Sequence, residues 1–177
     1  MINHEVRAIY PHRWAVPHAA WRNLFATATK RIEILTYSGL FLAEDAGLMN
    51  LIAERGSAGV RLRILLGDPD STEVAARGVD EGIGADVMAA RVRNALTLFS
   101  PLQEVPSAGI RLHRTVLYNS IYRADDDLFV NAHAYGTKAP DAPVIHLHHV
   151  GPHGTTAVYL TGLERVWARA SPVRSTC

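Results

Sequence analysis

Between Gly109 and Gly136 the chain reads GIRLHRTVLYNSIYRADDDLFVNAHAYG, an apolar frame crowded with groups that can do chemistry. These are His113, Thr115, Tyr118, Asn119, Ser120, Tyr122, Arg123, Asn131 and His133. Burying so many polar side chains is costly unless each finds a partner. A sheet surface dense in His, Asn, Ser and Arg therefore reads as a site. An arginine and two imidazoles in one cluster suit an anion, because guanidinium and imidazolium make charge-assisted hydrogen bonds to phosphate or carboxylate. Tyr37 and Ser38 end an earlier strand and are placed to line the same cleft. His146 is a candidate second imidazole for it.

Other clusters have plainer readings. Ala124-Asp125-Asp126-Asp127 lies between two apolar strands and reads as a hairpin turn whose carboxylates cap backbone amides. His146 and His148 share one face of a strand, a spacing that zinc can use. The only cysteine is the last residue, Cys177, so no Cys-rich zinc site or intrachain disulfide is available. No metal and no cofactor are expected. Arg77 and Glu81 have the spacing of an ion pair on a helix face.

The positioning elements follow from periodicity. Residues 5–10 read as a short strand or extended arm. Pro17 opens a helix running to about Thr29, with Trp21, Leu24, Phe25 and Ala28 on one face. Arg31 to Tyr37 alternates as a strand. Leu42 to Arg55 is helical and ends at Gly56 and Gly59. Val60 to Leu66 is a second strand, followed by the turn Gly67-Asp68-Pro69-Asp70-Ser71. Residues 72–99 are mostly helical with interruptions at Gly78, Gly82 and Gly84. Pro101 to Ala108 is a loop. The polar segment supplies three strands, Val144 to Val150 a last one, and Thr156 to Ala170 a closing helix. This order predicts an α/β fold, one mixed sheet flanked by helices, with residues 32–66 a βαβ unit. The expected layout is an arm over 1–14, a single domain over 15–171 and a tail over 172–177.

The 177 residues are 48% hydrophobic and 20% charged, with a net charge of +1. That is an ordinary globular composition without the basic field of a nucleic-acid binder. No apolar run reaches the ~18 residues of a membrane span, and the first residues, MINHEVRAIYPHRW, lack a signal-peptide core. A cytoplasmic protein that does not bind nucleic acid directly is expected.

The polar segment also resembles a degenerate phospholipase D-type motif, His-x-Lys-x4-Asp followed by a turn, an apolar strand and an Asn. His113 matches the motif His, Thr115 stands in place of the Lys and Ser120 in place of the Asp. Leu128-Phe129-Val130-Asn131 resembles the downstream strand and Asn. The resemblance widens through RAIYPHR, ILTYSGLFLAEDAGL, VRLRILLGDPDS, RGVDEGIG, APVIHLHH and LERVW. Together these are similar to the C-terminal domain of actinobacterial regulators that carry a helix-turn-helix of the xenobiotic-response-element type before a phospholipase D-like domain. No helix-turn-helix fits before Trp14.

The resemblance implies a phospholipase D-like fold, with His113 as nucleophile and Asn131 and Ser120 beside it. Thr115, Tyr118, Asn119, Arg123, His133, His146 and Tyr37 are the expected ligand-binding residues. Loss of the motif lysine removes a fixed positive charge, a change that costs about 10²- to 10³-fold in rate; Arg123 is the candidate replacement. Two functions follow: a domain that binds a small phosphorylated or otherwise anionic molecule, or a His113-dependent phosphodiesterase, nuclease or transferase. A plain dimerisation module is a third. Catalysis by paired motif histidines implies a homodimer.

Overall fold

The computed structural model describes residues 4–173. One mixed eight-stranded sheet runs through it in the order β1-β7-β6-β5-β2-β3-β4-β8. The strands are β1 (Val6–Tyr10), β2 (Arg31–Leu35), β3 (Arg61–Gly67), β4 (Ala108–His113), β5 (Asn119–Ala124), β6 (Asp127–Ala132), β7 (Val144–His148) and β8 (Ser171–Pro172). The helices are α1 (His18–Ala26), α2 (Leu40–Ala43), α3 (Ala46–Ser57), α4 (Thr72–Asp80), α5 (Ala85–Phe99) and α6 (Thr155–Arg169). This is the α/β sheet with flanking helices that the periodicity predicts. No helix among the described residues is long and apolar enough to cross a membrane.

β2, β3 and β4 pair in parallel, and β5, β6 and β7 continue antiparallel from β2. Parallel strands are covered on both faces and so read as aliphatic runs. Alternation sends Ile32, Ile34, Leu62, Ile64, Tyr122 and Phe129 to one face, against Trp21 and Phe25 of α1 and Leu48 and Ile52 of α3. Leu35, Leu65, Ile121, Leu128 and Val130 go to the other, against Val74 of α4, Met88 and Val92 of α5, and Leu163 and Val166 of α6. We call these the α3 face and the α6 face.

Charge is buried in the sheet only where it is paired. Glu33 of β2 is fully buried, with Arg123 of β5 and Arg63 of β3 as its register neighbours. Its carboxylate lies 2.7 Å from Arg123 and 3.3 Å from Arg63, and Arg63 goes on to Glu164 at 2.7 Å.

The expected helix over 42–55 is two helices. Asp45 accepts from the Leu48 amide at 3.0 Å and caps α3, which ends α2 after one turn. Within the expected arm, β1 is an edge strand paired with β7. The short β8 has no signal in its sequence. The loop expected after α5 begins with a 3₁₀ turn, Ser100–Glu104. The Asp turn behaves as read. Asp125 takes φ 51° and accepts from the amides of Thr29, Lys30 and Arg31 at 2.8, 2.8 and 2.9 Å. Burial raises its carboxyl, but those amides outweigh it and hold the group below the usual carboxylate range.

Candidate functional site

β2 and β6 run out, and β5 begins, at the same end of the sheet. There a cavity of about 250 Å³ opens. Gly39, at φ 61°, turns the chain from β2 directly into α2 and brings Phe41 to its wall.

Three hydroxyl and imidazole groups form its floor. Ser120 Oγ lies 3.2 Å from Thr36 Oγ1 and 3.0 Å from His133 Nε2. His133 Nδ1 is 3.2 Å from the Leu117 carbonyl, an acceptor that assigns the proton to Nδ1 and leaves Nε2 to accept from Ser120. Tyr37 stacks on the same imidazole, ring centroids 5.8 Å apart at 22°, and its hydroxyl accepts the Leu117 amide at 2.8 Å. Burial, with Arg77 and Arg13 adding repulsion, lowers the His133 pKa to about 4. The ring is therefore neutral at pH 7.

The walls carry cations. Arg77 of α4 is buried and bound to Glu81 at 2.7 Å, and it also donates to the Thr137 carbonyl at 3.1 Å. The expected ion pair is formed, and it lines the cavity. Arg91 stands exposed at the mouth. Arg13 is different from both. It is partly buried, with its guanidinium 3.9 Å from the centre of the Phe41 ring. Among the described residues no carboxylate comes within 4.0 Å of it. Burial lowers its pKa, opposed by Tyr122 and Glu81. Glu44 and Glu81 also line the cavity, and Glu81 and Asp141 favour the Arg13 charge from a distance, but a half-desolvated guanidinium facing a polar cavity without a directly paired carboxylate can still take an anion.

The residues expected from the sequence do not all meet here. Tyr37, Ser120 and His133 do. His113 does not line the cavity. It is buried, its Nε2 is 2.9 Å from the Thr36 carbonyl and its Nδ1 accepts the Thr115 amide at 3.3 Å. Both ring nitrogens are occupied, and burial lowers its pKa. Its register partner Gly67 follows Leu65 by two, which puts His113 on the α6 side. Asn131 pairs in register with Ser120 and Val144, on the α3 side. The two residues that the motif spacing brings together therefore lie on opposite faces, and the nucleophile arrangement expected around His113 is not formed. Asn131 instead donates to the carbonyls of Ala142 and Pro143 at 3.2 and 3.1 Å, tethering the segment whose Ala139 and Pro140 wall the cavity.

Arg123 is spent on Glu33 and on the Asp125 carbonyl at 2.7 Å, so it does not replace the motif lysine. His146 and His148 share Asp127, at 2.8 and 3.2 Å, away from the cavity. No group of three or more His, Cys, Asp or Glu among the described residues is arranged to hold a metal ion. Thr115, Tyr118 and Asn119 line a separate groove beside α6. Arg13, Thr36 and Phe41 were not among the expected site residues, although they fall in the resembling segments RAIYPHR and ILTYSGLFLAEDAGL: they sit on a short 3₁₀ turn, just past a strand end and on a single-turn helix.

No family model matches this chain, and no curated protein matches it in sequence. Solved structures do match. Nuc from Salmonella typhimurium, a phospholipase D family member, superposes with a TM-score of 0.57 at 14% identity, covering 89% of this chain and 90% of that one. The fold is phospholipase D-like. Phosphatidylserine synthase from Haemophilus influenzae Rd KW20 is similar at a TM-score of 0.54 and 14% identity, over 87% of this chain and 36% of the enzyme. TrmBL2, an archaeal chromatin protein with a novel mode of DNA binding, gives a TM-score of 0.60 at 13% identity. That match takes in 98% of this chain, which spans 56% of the archaeal protein.

Proposed function

We propose that this phospholipase D-like domain binds a small phosphorylated or otherwise anionic molecule in the Arg13 cavity, as the sensor or effector part of a regulator. The observation that carries the reading is Arg13, a partly desolvated cation with no acid partner beside the Thr36–Ser120–His133 floor. The anion would complete the pairing that the fold leaves open, while the neutral imidazole and the two hydroxyls orient its remaining polar atoms. The regulator role draws on the resemblance to effector domains, and on a likeness to a chromatin protein of which this fold makes up little more than half.

Binding is favoured over turnover for two reasons. A histidine nucleophile needs a free ring nitrogen facing substrate, and both nitrogens of His113 are engaged behind the cavity. Ser120 and His133 are within nucleophile–base distance, but a base with a pKa of about 4 is far from the value near 7 that suits proton transfer at neutral pH. A homodimer, which paired motif histidines would have required, is not needed by a cavity built within one chain. The test is a thermal-shift screen of phosphorylated and carboxylated small molecules. At least one is expected to raise the melting temperature of the native chain and not of Arg13→Gln. Equal shifts in both would remove Arg13 from the reading.

A further inference from the structure

Beside α6 lies a second cavity of about 370 Å³, within the ~300–1,000 Å³ range of small-molecule sites. It shares no lining residue with the Arg13 cavity. Leu35, Leu117 and Ile121 form its sheet side, and Leu163 and Val166 of α6 face them; all are buried. Its rim is also apolar, with Val116, Tyr118 and Val158 58%, 80% and 72% exposed. Exposed large side chains grouped around a concave apolar surface mark a binding site more often than a solvated one.

Two further features say what kind of occupant fits. Arg165 and Arg169, one helical turn apart, stand at the same mouth. No carboxylate among the described residues comes within 4.0 Å of either. Gly162, inside α6, lines the same groove. Glycine in a helix interior is less favourable than any residue but proline. Here no packing demands it, because an added Cβ would meet no heavy atom within 4 Å. What the glycine does is leave the groove open where a side chain would fill it.

We infer that this groove binds a free amphipathic anion, an acyl carboxylate whose chain lies between α6 and the Leu117–Ile121 edge and whose head meets Arg165 and Arg169. Apolar burial supplies affinity and the guanidinia choose the headgroup.

Calorimetric titration with decanoate, octanoate and decanol tests this. Decanoate is expected to bind saturably at one site per chain, with each methylene removed weakening binding about fourfold. Gly162→Leu should abolish binding while the melting temperature holds or rises, since leucine is the better helix former. Val158→Asp, at an exposed position, should abolish binding too and serves if Gly162→Leu does not fold. Converting both arginines to glutamine should weaken decanoate about fivefold and erase its advantage over decanol. Absence of decanoate binding to the native chain overturns the inference, as does binding that survives both Gly162→Leu and Val158→Asp. Two other outcomes also overturn it. A dimer dissolved by Val158→Asp, without decanoate binding, would give the groove to a second copy. Sedimentation with anionic vesicles, without binding of monomeric decanoate, would give it to a membrane surface.

Discussion

His133 makes a quantitative prediction about pH. Above about pH 6.5 its imidazole is neutral in both the folded and the unfolded chain. As pH falls, the unfolded chain takes up its proton at the ordinary value of 6.5, and the folded chain only near 4. The proton thus favours unfolding: the stability is fully present above pH 6.5 and is lost through the window from 6.5 to 4. At 1.36 kcal/mol per pH unit the loss is about 3 kcal/mol by pH 4, a large share of the ~5–15 kcal/mol that holds a domain together. Burial is the main cause, and the Arg77 and Arg13 charges add to it. Urea unfolding at pH 7.5, 6, 5 and 4, on the native chain and on His133→Asn, isolates the contribution of this imidazole. The variant loses the Ser120 contact and is less stable at pH 7.5, but its stability should fall about 3 kcal/mol less on acidification. His113, lowered for the same reason of burial, contributes to both chains alike. Parallel stability–pH curves for the two proteins, or a His133 resonance titrating near 6.5, would refute the argument.

Three other expectations follow from named contacts. Glu33→Gln leaves Arg123 and Arg63 without their shared carboxylate inside the sheet, and should cost about 3–5 kcal/mol in urea unfolding. Asp125→Ala removes the acceptor for the Thr29, Lys30 and Arg31 amides at a positive φ, and should cost about 2 kcal/mol or more by the same assay. Ser120 should resist a fluorophosphonate probe at pH 7, and hydrolysis of bis(nitrophenyl) phosphate should be negligible. Stoichiometric labelling of Ser120 seen by mass spectrometry would move the enzyme reading ahead of the binding one.

The fold was legible because both periods are clean. Alternation in Arg31–Tyr37 and the aliphatic run Val60–Leu66 mark the central strands, and the turn chemistry of Asp125 marks the hairpin. The break between α2 and α3 depends on Asp45 turning its side chain back to the Leu48 amide, a competition between a cap and a continued helix that residue types leave open. Of the site, Tyr37, Ser120 and His133 were readable as polar residues at strand ends. The pairing of His113 with Asn131 was not, because face assignment by alternation fails across the irregular segment 114–118 that separates β4 from β5. Arg123 illustrates a second limit. A cation in a polar strand looks like a ligand group until its partner, Glu33, is placed beside it by the antiparallel register of another strand. Arg13 was given no role, for the converse reason, although it closes the segment RAIYPHR. It lies far from the polar segment in sequence, and its meaning comes from having Phe41 and the cavity next to it and no carboxylate within ion-pair distance among the described residues.

The proposed function requires Arg13 to be open to an anion. Isothermal titration of the native chain and of Arg13→Gln with inorganic phosphate at low ionic strength tests it most directly. Saturable binding at one site per chain is expected, weakened about 10- to 100-fold in the variant, as loss of hydrogen bonds from a charged donor would give. Phosphate binding of equal strength in the two proteins, or none in the native chain, would contradict it.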